Sequence, residues 1–395
     1  MTDECKPILN TGLRGVTVAS TRISDVNGKE GKLIYRGYLV KELAENVCFE
    51  EVVFLLLFEK MPNSKELESF KKQIAAERAI PSQVIDALKT RPADALPMDI
   101  LQAGVSMLAH HDPDTKIDGS HDASMQMGIK LIAKLPSLVA AWQRIRNGQE
   151  PIEPSPELGQ AANFLYMMSG NIPDDELTGF FDVCLILHAE HSFNASTFSA
   201  RGVASTRAHM YASVAAAIGS LSGALHGGAN TRVMMMLKKI GSIDAVKSYI
   251  NNKLKAGGKI MGLGHAVYQV DDPRALILAP MSKKIGERAG ETKWYEISKT
   301  LEQEAKAAFK KYKNMDIYVN VDFYSASLYY SMGIDMDMFT PLFAISRIAG
   351  WTAHIIEEQF AGAAHKPMLY RPASDYIGDY CGPDECSLNP IEERP

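Results

Sequence analysis

The sequence predicts an all-α protein, a large helical domain with a smaller helical domain inserted into it. Three observations predict this. Apolar residues recur at three- and four-residue spacing through most of the chain. β-Compatible runs are confined to short segments near Lys32–Tyr35 and Ile317–Val321, too few for a sheet-based core. Composition changes near residue 228, with more lysine and a glycine pair at 257–258, and a strongly apolar helical stretch returns at 339–358. The domains expected are therefore 1–227 with 338–395, and 228–337 between them.

The run EEVVFLLLFEKMPNSKELESFKKQIAAER reads as helix, Pro-Asn break, helix, with Asn63 or Ser64 as cap and Glu66 in the first turn. Prolines Pro81, Pro92 and Pro97 punctuate short helices, and longer helical patterns cover 98–110, 122–147 and 156–169. The stretch YASVAAAIGSLSGALHGGAN, 211–230, is crowded with Ala, Gly and Ser. It reads as one closely packed core helix at a subunit or domain interface, stopping at His226-Gly227-Gly228. After Gly378 the chain turns polar and reads as an extended tail.

Composition bounds the function. With 395 residues, 46% hydrophobic and 23% charged, the chain has the make-up of a globular protein with a sizeable core. A formal net charge of −5 argues against nucleic-acid binding while leaving room for a local basic pocket. Five scattered cysteines, Cys5, Cys48, Cys184, Cys381 and Cys386, fit a reducing compartment better than a disulfide framework; Cys381 and Cys386 lack the C-x-x-C spacing of a redox pair. The N-terminus shows no signal or transit peptide, and the longest apolar run, VVFLLLF at 52–58, is too short for a bilayer. The cytoplasm is the expected location, without membrane attachment.

The stretch IMGLGHAVYQVDDPRA, 260–275, begins like a phosphate loop. It lacks the third glycine of a dinucleotide fingerprint and the Gly-Lys-Ser/Thr of a P-loop. What remains is a glycine-bent loop presenting His265 where a helix should start. His226 likewise sits beside glycines. Each histidine alone is either structural or functional; together they point to space for a ligand. Asp322, flanked by Val319, Val321 and Phe323, is either a desolvated base or the cap of a helix beginning at Phe323, or both. Arg274, Arg347 and Arg371 supply anion recognition, and Arg347, inside an apolar helix, must face a carboxylate from protein or ligand. His188 and His191, in H-A-E-H, match no zinc signature, and one of them is expected to be hydrogen-bonded in a polar core; no metal site is expected.

LHGGAN around His226, GLGHAVYQVDDPRA around His265, NVDFYSAS around Asp322, SRIAGW around Arg347 and RPASDYIG around Arg371 resemble, in order and spacing, the blocks of the citrate synthase family. IYRGY at 34–38 and HAEHSFNASTFSAR at 188–201 extend the resemblance over residues 30 to 378. VDFYSAS followed by LYYSMGI looks more like the 2-methylcitrate synthase branch. The resemblance implies an all-α homodimer that condenses oxaloacetate with a short-chain acyl-CoA, propionyl-CoA for preference, giving 2-methylcitrate. The alternative is citrate synthase proper, using acetyl-CoA; a citryl-CoA-type lyase and an inactive scaffold stand further off. It implies no permanently bound cofactor, coenzyme A entering as the thioester co-substrate.

By the same resemblance Asp322 removes the α-proton, His226 hydrogen-bonds the thioester oxygen, and His265 polarises the oxaloacetate carbonyl. His191, Arg274 and Arg347 hold oxaloacetate, joined by Arg371 from the partner subunit. Lys259, Ile260, Met261, Gly262 and Leu263 lie against coenzyme A, largely through backbone; Lys259 either meets a phosphate or stays solvated. Two departures stand out: Ala266 replaces the arginine of many bacterial relatives, and residues 360–368 look longer than the family connection. No extra N-terminal domain of the hexameric kind is visible, so a simple dimer is expected.

Overall fold

The computed structural model describes residues 11–13, 15–116, 119–378 and 390–393. Cys5, Cys381, Cys386 and most of the polar tail lie outside the described residues. A small antiparallel sheet comes first, β1 (Ser24–Asn27), β2 (Lys32–Tyr35) and β3 (Tyr38–Leu39). The first helices are α1 (Val40–Asn46), α2 (Phe49–Phe58), α3 (Ser64–Ala76), α4 (Ser82–Lys89), α5 (Pro97–Leu108) and α6 (His121–Arg146). Next come α7 (Gln160–Ser169), α8 (Asp175–His188), α9 (Ala195–Ala204) and α10 (Met210–Ser222). α11 (Ala229–Ile240), α12 (Val246–Lys255), α13 (Pro273–Arg288), α14 (Lys293–Lys313) and α15 (Val321–Ser331) follow, and α16 (Phe339–Gln359) is the last. The all-α expectation holds.

Local chemistry explains several boundaries. Asn63 caps α3, its side chain accepting from Lys65 and Glu66 while Glu66 reaches back to the Asn63 N–H. α7 starts at Gln160, four residues later than the pattern suggested: Asn163 takes the backbone N–H of Ser155 in the preceding loop, and Glu50 takes that of Gln160 at the helix start. The helix expected to stop at His226-Gly227-Gly228 ends at Ser222 instead, with Gly223 leaving the helical conformation; 223–228 is a turn and α11 a separate helix. The small residues pack α10 against α5 and α9 of the same chain: a Cβ on Gly219 would lie 2.7 Å from the Gln102 amide.

α16 is the axis of the fold. All 21 of its residues are buried, including Arg347, His354, Glu357 and Glu358, and it packs against α2, α5, α6, α8, α9, α10 and α11. Helices α11 to α15 pack chiefly on one another, α13 on α15 and α12 on α14. The turn between β1 and β2 leans on the loop before α13: Gln269 N–H donates to the Gly28 carbonyl at 2.8 Å, and a Cβ on Gly28 would sit 2.2 Å from the Val267 carbonyl oxygen. Glycine is required there by close approach. Among the described residues no helix is long and apolar enough to cross a membrane.

Candidate active site

Five segments meet between the two groups of helices. α8 runs into His188, and His191 follows beyond its end, so the two histidines do not share a helical face. His188 is fully buried, its Nδ1 donating to the Cys184 carbonyl at 2.8 Å, and burial with the charge of Arg274 holds it down to about 3. It is the hydrogen-bonded core histidine. The rings of His191 and His265 approach to 5.4 Å, and Tyr268 lies 5.6 Å from the first and 4.7 Å from the second. Burial, then Arg274 and Arg347, keep His191 well below the usual imidazole range.

His226 occupies the turn between α10 and α11. Its Nε2 accepts from the backbone N–H of Ser196 at 3.2 Å, with Ser196 Oγ at 2.8 Å. A backbone N–H can only donate, so Nε2 carries no proton and the neutral ring has its hydrogen on Nδ1. Ser196 is the second residue of α9, whose positive end opposes an imidazolium. Burial, then the charge of Arg347, hold His226 down to about 4.

His265 is fixed in the opposite sense. Its Nδ1 accepts from Val267 N–H at 2.9 Å and Tyr268 N–H at 3.1 Å, leaving the hydrogen on Nε2. The side chain closes a local turn; no helix starts there, and α13 begins only at Pro273. Burial and Arg274 keep His265 down to about 4, with Asp272 opposing.

Asp322 lies in the first turn of α15 but is not its cap. Asn320 is, accepting from the Asp322 N–H at 3.1 Å and donating from Nδ2 to the Gly264 carbonyl at 3.1 Å. The cap of α15 thus ties Asp322 to the His265 loop. The loop runs antiparallel to 318–320, with Gly264 N–H donating to Tyr318, Asn320 N–H to Gly262 and Asp272 N–H to Val319. Burial pushes the Asp322 carboxyl up to about 6 against the pull of Arg274, with a push from Asp272.

The arginines differ. Arg274, 2% exposed, holds Asp272 in a two-point pair, Nε to Oδ1 at 2.9 Å and Nη2 to Oδ2 at 2.7 Å. Sequence reading missed Asp272, although an acid before Pro-Arg is a natural helix cap, and it also accepts from the Arg274 N–H. Arg347, 1% exposed, donates from Nε to the His188 carbonyl at 2.7 Å and stacks on Phe343 at 4.7 Å. No carboxylate pairs with it among the described residues, so the internal salt bridge is ruled out as its explanation. Burial lowers it to about 10, with Glu190 opposing. Arg371 is exposed and Lys259 is exposed, neither with an ion pair or side-chain hydrogen bond among the described residues. Ile260 and Gly262 are buried, Met261 and Leu263 half-buried, and Leu263 bridges to Val319.

His191, His265 and Asp272 bring possible metal-ligand atoms within 4.8 Å of one another. The chemistry disfavours a cation there: Asp272 is engaged by a guanidinium, and the His265 Nδ1 lone pair by two N–H groups. Two neutral imidazoles, each with one N–H to offer, an acid near neutrality and a buried guanidinium with no ion pair among the described residues suit a dianionic ligand and an enolising carbon acid.

The chain matches a family model described as "Citrate synthase, C-terminal domain" over residues 12–373. It is 43% identical over 384 residues to citrate synthase 2 of Bacillus subtilis, covering 97% of this chain and 98% of that one. To the 2-methylcitrate synthase of Shewanella oneidensis it is 37% identical over 378 residues, covering 95% and 96%. A solved ternary complex of Thermoplasma acidophilum citrate synthase with carboxymethyl coenzyme A and oxaloacetate superposes with a TM-score of 0.90 at 30% identity, covering 98% of this chain and all of that one. The chain belongs to the citrate synthase family, with its fold, and is a condensing transferase of that family.

Proposed function

We propose that the protein condenses oxaloacetate with acetyl-CoA and water to give citrate and free coenzyme A. What supports the acetyl group is that relatives named citrate synthase reach 43% identity, whereas those named 2-methylcitrate synthase reach 37% and 39%. What supports the two substrates is the structural relative that holds oxaloacetate with a coenzyme A analogue. Propionyl-CoA is the second reading, favoured by VDFYSAS and LYYSMGI at 321–334. One methylene in an apolar pocket discriminates by only about 1–3 kcal/mol, so both thioesters are expected to turn over.

One observation carries the mechanism: the two histidines are held from behind by backbone donors so that His226 offers Nδ1–H and His265 offers Nε2–H. In the reaction Asp322 takes a proton from the α-carbon while His226 donates to the thioester oxygen, stabilising the enolate. The enolate carbon attacks the oxaloacetate carbonyl, and His265 gives its Nε2 proton to the new alkoxide. Water then cleaves the thioester and the carboxylate product leaves with coenzyme A. Arg347, buried and ion-paired with no carboxylate among the described residues, receives one oxaloacetate carboxylate, with His191 and the remaining donor atoms of Arg274 beside it. The segment Lys259 to Leu263 lies against coenzyme A.

In this reading 1–227 with 338–395 form the large domain, and 228–337 form a small domain that closes and excludes water. The enzyme is a cytoplasmic homodimer, and the exposed Arg371 enters the partner's site. The test is thiol release from acetyl-, propionyl- and butyryl-CoA with and without oxaloacetate, beside an Asp322→Ala control. Oxaloacetate-dependent release, greatest with acetyl-CoA and lost in the control, is expected. A propionyl-CoA preference moves the protein to the second reading, and no oxaloacetate-dependent release overturns both.

A further inference from the structure

Behind the oxaloacetate pocket lies a group of buried charges that the reaction does not use. Arg201 of α9, 3% exposed, donates from Nη1 to Glu357 Oε2 at 2.8 Å and pairs through Nη2 with Glu358 Oε2 at 2.7 Å. The same Nη1 lies 3.0 Å from His354 Nδ1. A guanidinium only donates, so His354 accepts at Nδ1 and its Nε2–H donates to Glu190 Oε1 at 3.0 Å. Glu190 is the residue before His191. On the other side, Tyr370 donates its hydroxyl to Glu358 Oε2 at 2.7 Å.

Tyr370 is pinned in two further ways. Its ring stacks on Phe198 at 5.8 Å, and its backbone N–H donates to Ser205 Oγ at 3.3 Å. Every residue from Arg371 to Gly378 is exposed. Tyr370 is thus held by α9 and α16 immediately before the exposed arm that begins with Arg371. Consecutive Cα atoms are about 3.8 Å apart, so the seat of Tyr370 sets the point from which the Arg371 side chain reaches out. Buried ion pairs add little stability over apolar packing, which leaves fixing geometry as what this cluster contributes.

We propose that Tyr370, seated by Glu358 and Arg201, is a positioning residue for Arg371 in the partner's oxaloacetate site. Arg201 also reaches back through His354 to Glu190. The inference rests on the reading of Arg371 as acting across the dimer.

The test uses differently tagged, co-expressed subunits. A heterodimer of an Arg371→Ala subunit and an Asp322→Ala subunit keeps one working site, in the Arg371→Ala subunit and served by Arg371 of the other. Tyr370→Phe keeps the ring and removes only the hydroxyl. Placed in the Asp322→Ala subunit, it is expected to raise the KM for oxaloacetate about five- to tenfold, the size of one ordinary net hydrogen bond. kcat stays within about twofold, because Arg371 holds substrate and transition state alike. Placed in the Arg371→Ala subunit, the same change leaves KM unmoved. Glu358→Gln is expected to show the same dependence on placement. Equal effects in both placements, or none in either, overturn the positioning role. An inactive parent heterodimer instead overturns action across the dimer, and this inference with it.

Discussion

His226 Nε2 lies 3.2 Å from the backbone N–H of Ser196, at the start of a helix. That contact decides which ring nitrogen faces the cleft, and it comes from main chain, so it survives a change of side chain. His226→Ala is expected to lower kcat by about 10²- to 10³-fold, as for loss of one oxyanion donor. Ser196→Ala keeps the N–H and loses only the hydroxyl near Nε2 and Trp351. It is expected to cost less than about tenfold. Steady-state kinetics of the two variants check this; equal losses would show that the hydroxyl, not the main chain, orients the ring.

As the proposed base, Asp322 is expected to make activity and stability run in opposite directions with pH. Its carboxyl titrates near 6 in the folded protein, and the base must be ionised, so kcat/KM is expected to fall as pH drops through about 6. His226 and His265, both held near 4, stay neutral over that limb. For stability, a carboxyl raised on folding binds protons more readily in the folded state, so stability is lost as pH rises from the unfolded value of about 4 to about 6 and stays lost above it. Asp322→Asn is therefore expected to raise Tm at pH 7.5, with the gain shrinking as pH falls from 6 towards 4. Its kcat is expected to drop about 10²- to 10⁴-fold. Thermal melts across that range check the sign, and a gain that grows on acidification would contradict it.

Arg347 is a buried cation without an ion-paired carboxylate among the described residues, a costly arrangement. Arg347→Met is expected to leave the ligand-free Tm unchanged or higher. Oxaloacetate, which stabilises whatever binds it, is expected to raise the Tm of the parent protein and not of the variant. The KM for oxaloacetate should rise about 100-fold or more. A variant that melts early without ligand would mean that the guanidinium is structural.

Much of this site was legible because its residues sit in short blocks whose chemistry is local. His226 and His265 stand beside glycines, Asp322 between apolar neighbours, Arg347 inside an apolar helix, and each cue reflects a physical cost of bent backbone, desolvation or buried charge. What stayed hidden depended on partners distant in sequence or on a choice among neighbours. For Asp322 the sequence leaves base and helix cap both open; Asn320 takes the cap position and also binds the Gly264 carbonyl. The helix over 211–230 kept its small-residue pattern past Ser222, and only the turn carrying His226 shows where it stops. The ion pairs of Arg201 with Glu357 and Glu358 join residues more than 150 positions apart, beyond any periodicity. The seat of the His226 ring on Ser196 spans 30 positions through a main-chain donor, which no side-chain identity announces.

Two glycines of the His265 loop separate backbone strain from close packing. Gly262 has φ of 77° and Gly264 of 88°, a region costly for other residues. A Cβ on Gly264 would meet nothing within 4 Å, whereas one on Gly262 would lie 2.7 Å from Phe323 Cδ2 and 2.9 Å from Val233 Cγ2. Phe323 follows Asp322 and is fully buried, so it cannot yield without moving the start of α15. Gly264→Ala is therefore expected to cost only left-handed strain, about 1–2 kcal/mol, with kcat within about threefold. Gly262→Ala adds a steric clash, with an expected total of about 2–4 kcal/mol. It should also lower kcat at saturating substrate by about tenfold or more, because displacing Asp322 by an ångström spoils the geometry of proton transfer. Denaturant unfolding of both variants with matched kinetics checks the pair. If the two lose stability and kcat equally, packing against Phe323 does not position the base.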